Sequence, residues 1–207
     1  TTTIYVTDDQ VEGMTMGHRV ALLRDGILQQ VDTPAAIYDR PRNLFVAAFI
    51  GSPTMNLYYA HLTNIGADSA TIRLGSTTVS VPVSALGKRP GLARYAGRRI
   101  VVGFRPEDLA DAALRNDLPP GGRLKSEVEL VEALGSDVLV HFGIDAPPAT
   151  VQSSDSLQEL KGRGERSRVV ARLTPKSQLR LGGTVEVTID TERLQFFDAE
   201  TGEAIWS

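Results

Sequence analysis

Two groups of charged side chains in this 207-residue chain have the types and spacing to do chemistry: Asp8-Asp9 and the run Arg105-Pro106-Glu107-Asp108. Paired carboxylates can share a proton or a metal, but adjacent residues at a helix start point in different directions. Asp8-Asp9 therefore reads as helix-start acids, favourable at the positive end of the helix dipole, rather than as an acid–base pair. The Arg105–Asp108 run ends a strand, because Pro106 cannot continue the ladder. Two readings of it stay open. It is a charged rim that contacts a partner, or a turn with an internal Arg–carboxylate pair worth about 0–1 kcal/mol if exposed.

Other chemistries find less support. His18, His61 and His141 lie far apart without ligand spacing, so a metal site is not expected. His141 alternates with apolar neighbours and is expected to face solvent. There are no cysteines, hence no disulfide and no thiolate metal site. A phosphate-cradling Gly-x-x-x-x-Gly-Lys-Ser/Thr loop is absent. The stretch KGRGERS (161–167) has those letters in the wrong arrangement and reads as a solvated loop. The net charge of -3 and the absence of a basic, aromatic-rich groove argue against nucleic acid as a partner. No apolar run approaches the ~20 residues of a membrane span, and no signal peptide stands at the start.

The elements that must hold these groups change character along the chain. Residues 3–7 have the composition of a buried strand. A capping box follows, with Thr7 as N-cap and Gln10 reaching back, for a helix from Asp9 to Gly17. Arg19–Leu23 and Ile27–Val31 form a hairpin about Asp25-Gly26. Thr33-Pro34 starts a helix, and a helical stretch at Leu44–Ile50 ends at Gly51. Beyond residue 55 short strands take over: 57–65, 70–74, 78–83, 99–104, 126–132, 137–142, 149–152, 168–173, 184–189 and 194–197. One short helix is expected near Asp155–Leu160. Such regular short strands argue a sandwich or small barrels. The order predicts an α+β chain of two domains, 1–55 and 56–207, the first too short to stand alone. An opening strand without a neighbour is a pairing template, so 1–55 is expected to be poorly ordered, swapped or covered by a neighbour.

The stretch from Ile4 to Asn56 resembles the last third of the nucleotide-binding domain in ATP-binding subunits of sugar-import ABC transporters, the maltose and glycerol-phosphate type. The resemblance rests on Asp9-Gln10, Glu12, Met14, Arg19, Gly26, Gln30, Thr33-Pro34, Tyr38, Pro41, Phe45-Val46-Ala47, Phe49-Ile50-Gly51, Pro53 and Met55-Asn56 in this order. VVGFRPEDL, LVEALGSDVLVHF and LQFFDAETGEAI resemble segments of the same family's C-terminal regulatory domain. The resemblance implies a truncated remnant of an α/β nucleotide-binding domain, followed by an all-β regulatory domain of OB-like, TOBE-type barrels containing Arg105, Pro106, Glu107 and Asp108. The phosphate loop, signature loop and catalytic glutamate are not in this sequence, which reads as a fragment or processed product.

In an intact member the resemblance implies ATP and Mg as cofactors. The chain alone is expected to bind neither and not to hydrolyse ATP. Implied partners are a second ATPase subunit, the transmembrane permease subunits and a possible regulatory protein. The implied location is the cytoplasmic face of the cell membrane, held there by the permease. The family's switch histidine, which touches the γ-phosphate and the attacking water, aligns with Asp8. A carboxylate there would repel phosphate, and so Asp8 is expected to impair hydrolysis. His18, Gly13 and Asp32 also replace the family's usual residues. An alternative reading is a non-catalytic regulatory or dimerisation module with a vestigial ATPase remnant.

Overall fold

The computed structural model describes residues 1–115, 122–149 and 167–206. The short helix expected near 155–160, the KGRGERS loop except its last residue, and most of the strand expected at 149–152 lie outside them. The fold is mostly β. After helix α1 (Gln10–Met16) come the hairpin β1 (Val20–Arg24) and β2 (Ile27–Asp32) and the helices α2 (Pro34–Asp39) and α3 (Leu44–Phe49). Then follow β3 (Asn56–Ile65), β4 (Ser69–Leu74), β5 (Thr77–Pro82), the one-turn helix α4 (Val83–Gly87) and β6 (Arg99–Phe104). The remaining strands are β7 (Leu109–Asp111), β8 (Arg123–Ala133), β9 (Val138–Ile144), β10 (Ser167–Leu173), β11 (Thr184–Ile189) and β12 (Gln195–Asp198).

Local chemistry sets several of these elements. Asp25 and Gly26 turn the β1–β2 hairpin with φ of 51° and 77°, the left-handed pair that a two-residue turn requires. Thr33 caps α2 through its hydroxyl, which accepts from Ala36 N–H, and Pro34 takes the first helical position. The strand expected over 78–83 ends at Pro82, because Val83 opens α4 instead.

The first seven residues depart from expectation: 3–7 form no strand. Ile4 and Val6 stay 89% and 88% exposed. A strand needs an edge to pair with, and residues 3–7 pair with none among the described residues. The N-cap of α1 is Asp9 rather than Thr7. Asp9 Oδ1 accepts from Val11 N–H at 2.7 Å and Glu12 N–H at 3.2 Å, while Thr7 Oγ1 accepts from Asp9 N–H. Gln10 does not close a capping box. It reaches Gly51, accepting from its N–H at 2.9 Å.

Two antiparallel five-stranded sheets carry the β part, ordered β12-β6-β3-β4-β5 and β10-β9-β8-β11-β7. The chain leaves the first sheet after β6 and returns to it only with β12. One continuous core joins both sheets, with Phe104, Phe142, Ile72, Leu124, Val187 and Phe196 all nearly inaccessible. Polar staples reinforce it. The Asn56 side chain accepts from Val170 N–H and donates to Val170 O, both at 2.9 Å, tying β3 to β10. Tyr58 donates its hydroxyl to Arg168 O at 2.6 Å, and burial pushes its pKa well above the ordinary value. Residues 20–50 have a separate small core of Leu22, Ile37, Val46 and Ile50.

The closing hairpin turns on Asp198. Its Oδ1 accepts from Glu200 N–H and Thr201 N–H, and its Oδ2 accepts from Tyr95 O–H at 2.7 Å. These donors, led by Thr201 N–H, hold its pKa below the ordinary carboxylate value. A depressed pKa contributes stability that is present above the unfolded value, about 3.9, and is lost as pH falls through the folded value. Asp198→Asn is therefore expected to lower the thermal midpoint at neutral pH and to flatten its decline in acid. Equal acid sensitivity of the two proteins would refute this role.

Candidate functional site

The charged run after β6 is folded inward. Pro106–Asp108 form a single 3-10 turn, in which Asp108 Oδ2 accepts from Arg105 N–H at 3.0 Å and Asp108 N–H donates to Arg105 O. Arg105 is 3% exposed and Asp108 6%. Arg105 is thus not part of an exposed rim, and its guanidinium does not pair with a carboxylate of the run. It donates to Ile50 O at 2.8 Å and Tyr38 O at 2.6 Å, and stacks 3.5 Å above the Tyr38 ring. These carbonyls belong to the C-terminal ends of α3 and α2, where backbone acceptors lack helical partners and a cation is favoured. Asp108 pairs instead with Arg193. Burial raises its pKa despite Arg105 N–H and Arg193, which both favour the charged form. Glu107 alone of the run is exposed, and it accepts from the Tyr38 hydroxyl. Burial first, then that bond, push the Tyr38 pKa up to about 12.

Asp8 stands apart from this cluster. It is exposed, precedes α1, and has no hydrogen bond or ion pair to Arg105–Asp108 among the described residues. The first N–H groups of the seven-residue α1 are taken by Asp9, and Glu12 adds a further carboxylate, bonded by Tyr5 and Thr7. Among the described residues no phosphate donor set is assembled there. His141 also differs from its expected placement. Its side chain is only 14% exposed, with Nε2 2.8 Å from Glu132 Oε2. The β8–β9 pairing places His141 opposite Leu130, on Glu132's strand.

A cleft of about 590 Å³ opens beside Arg105. Sequence reasoning did not find it, because its walls come from four separate stretches: 38–40, 88–89, 105–108 and 192–206. Trp206 lines this cleft, next to Ile205, which is 4% exposed and donates its N–H to Phe196 O. The Arg89 guanidinium lies 4.0 Å over the Trp206 ring and 5.6 Å from the Phe196 ring. Its Nη2 donates to Gln195 Oε1 at 3.2 Å, while its Nη1 is buried without a partner. Burial and then the nearby Arg40 charge lower the Arg89 pKa to about 10.

The sequence of this chain matches a set of known proteins. The MalK OB-fold domain family matches residues 51–109. The trehalose import ATP-binding protein SugC of Mycobacterium tuberculosis is 40% identical over 206 residues, covering 98% of this chain and 51% of that protein. The trehalose/maltose import ATP-binding protein MalK of Thermococcus litoralis is 39% identical, over 99% of this chain and 49% of its own length. The sn-glycerol-3-phosphate import ATP-binding protein UgpC of Escherichia coli is 32% identical, over 99% of this chain and 48% of its own length. The chain spans about half the length of the curated relatives it matches.

Proposed function

Because this chain belongs to the ATP-binding subunits of sugar-import ABC transporters, we propose that it is the C-terminal portion of such a subunit and carries its regulatory and dimerisation domain. In this reading residues 1–55 complete a nucleotide-binding domain and residues 56–207 form the OB-like regulatory domain. The observation that carries it is the distribution of uncovered apolar side chains. Of fifteen exposed large hydrophobics among the described residues, ten fall within residues 4–49. Ile4, Val6, Leu23, Ile27 and Leu28 are each more than half exposed in a segment with its own small core. Apolar surface concentrated in this way marks a face built to be covered. The remainder of a nucleotide-binding domain is the natural cover in relatives twice as long.

The proposed partners are a second copy of the subunit and permease subunits, with a regulatory protein as a further candidate. Among the described residues no helix is long and apolar enough to cross a membrane, so attachment to the inner face of the membrane would run through the permease. ATP and Mg would be bound by the longer subunit. Exposed Asp8, at the family's switch-histidine position, favours a second reading in which the regulatory domain works by protein contact and the catalytic half is inactive.

The test is steady-state ATPase turnover of the longer subunit read from the gene upstream of Thr1, with Asp8 and with Asp8→His. Removing one preorganised donor at a phosphoryl or oxyanion site typically costs about a hundredfold in rate. Asp8→His is therefore expected to raise turnover by about that factor. Unchanged turnover would clear Asp8 of the defect. An upstream reading frame without a phosphate loop would overturn the ATPase reading and leave the regulatory one.

A further inference from the structure

We propose that the cleft between α2, the Lys88-Arg89 turn and the C-terminal segment around Trp206 is a binding site for a small multivalent oxyanion of the phosphate class. The proposal is independent of the ATPase reading, since the cleft lies wholly within the described residues and needs no upstream segment.

The charge inventory comes first. Five basic and three acidic side chains line the cleft, an excess of two positive charges in a chain whose net charge is -3. The acidic groups are largely engaged. Asp108 is paired with Arg193, and Glu192 accepts from Ser84 Oγ at 2.9 Å. Of the three, Asp39 has no side-chain partner among the described residues, and Glu192, bonded to a neutral hydroxyl, keeps its charge. Arg105 is committed to two carbonyls. That leaves Arg40, Lys88 and Arg89 with no carboxylate in ion-pair reach among the described residues.

The second observation is Arg89 itself. The residue is 7% exposed, and its Nη1 has no hydrogen-bond partner. A buried, unpartnered guanidinium donor is costly and uncommon, and one that lines a cleft beside a second arginine calls for an anion. Trp206 and Phe196 flank the guanidinium, and Gln195 holds Nη2, so the fork is fixed in direction before any ligand arrives. With Nη2 held by Gln195, Nη1 is the fork donor left for a single charge-assisted contact to a phosphate oxygen. Arg40 lies 5.7 Å from the same indole and supplies a second positive charge, and Lys88 a third. A multivalent anion is therefore favoured over chloride or a monocarboxylate. The volume exceeds that of a bare phosphate and leaves room for an ester substituent.

Trp206 is the chain's single tryptophan, so its fluorescence reports on this cleft alone. The experiment titrates the 207-residue protein with inorganic pyrophosphate and, separately, with phenyl phosphate, at constant ionic strength made up with sodium chloride. A saturable change in Trp206 emission is expected. Arg40→Gln removes an exposed charge without touching the core and is expected to weaken binding about tenfold, the effect of one charge-assisted contact. Arg89→Gln is expected to weaken it at least as much, with Arg89→Lys recovering part; far-UV circular dichroism confirms that each variant is folded. Saturation by pyrophosphate alone assigns the site to free inorganic anions, and saturation by both assigns it to phosphate esters as well. A linear, unsaturated response to both probes, or affinity unchanged in folded Arg40→Gln and Arg89→Gln, would overturn the proposal.

Discussion

Arg105→Ala is expected to loosen the C-terminal ends of α2 and α3 from the β part while leaving the two sheets intact, because Ala47 against Val101 and Phe197 and the Leu44 N–H to Gly202 O bond still hold the segment. The side chain is 3% exposed and makes its hydrogen bonds to Ile50 O and Tyr38 O, at the ends of two short helices. Neither helix, at six residues, is long enough to be stable without tertiary support. Hydrogen bonds to a charged donor contribute about 1.5–3 kcal/mol each, and truncation also strands two carbonyls. A loss of about 3–5 kcal/mol follows, comparable with breaking a buried ion pair. Arg105→Lys is expected to recover less than half, because an ammonium lacks the rigid fork that spans two acceptors and stacks on Tyr38. Amide exchange distinguishes this from general destabilisation. Protection should fall at 36–50, including the Ile50 N–H bonded to Val46 O, and persist in β8 and β9. Equal loss of protection in both regions would refute the assignment of Arg105 as a local tie between them.

Phe104→Ala is expected to cost about 3–5 kcal/mol and to lower a single cooperative transition rather than split it. Phe104 is fully buried and stacks with Tyr58 at a centroid distance of 5.9 Å. Around it Ile72, Leu74 and Val79 of the first sheet meet Ile189 of the second. The ring therefore fills space between the sheets rather than within one, and the surroundings cannot collapse without moving both. Urea unfolding followed by tryptophan emission and by far-UV circular dichroism should give coincident curves in wild type and variant. Separate midpoints would mean that the two sheets have independent cores.

The sequence carried the local geometry well. Asp25-Gly26 and Thr33-Pro34 specify a turn and a helix start by chemistry confined to two residues, and both form as expected. The strand periodicity beyond residue 55 also survives, because alternation of buried and exposed positions records which face meets the core. Family membership was legible for a related reason: it rests on many spaced residues, each weak alone.

Where local signals failed, a distant partner decided. Thr3–Thr7 has strand composition, yet a strand exists only against another edge, and composition carries no information about whether that edge is present. Arg105 looked like a surface charge because Arg-Pro-Glu-Asp suggests side-chain pairing within the run. Its actual acceptors are main-chain carbonyls 55 and 67 residues away. Every residue has a carbonyl, so such a contact leaves no mark in the sequence. The Arg89–Trp206 cleft has the same character, since its walls meet only once β12 has returned to the first sheet beside β6. The sequence by itself determined the Asp25-Gly26 turn, the Thr33-Pro34 helix start, most strand positions beyond residue 55 and the family. The tertiary structure alone decided which charges are buried and what they hold, because burial and hydrogen-bond partnership depend on chain segments that meet only in the folded state.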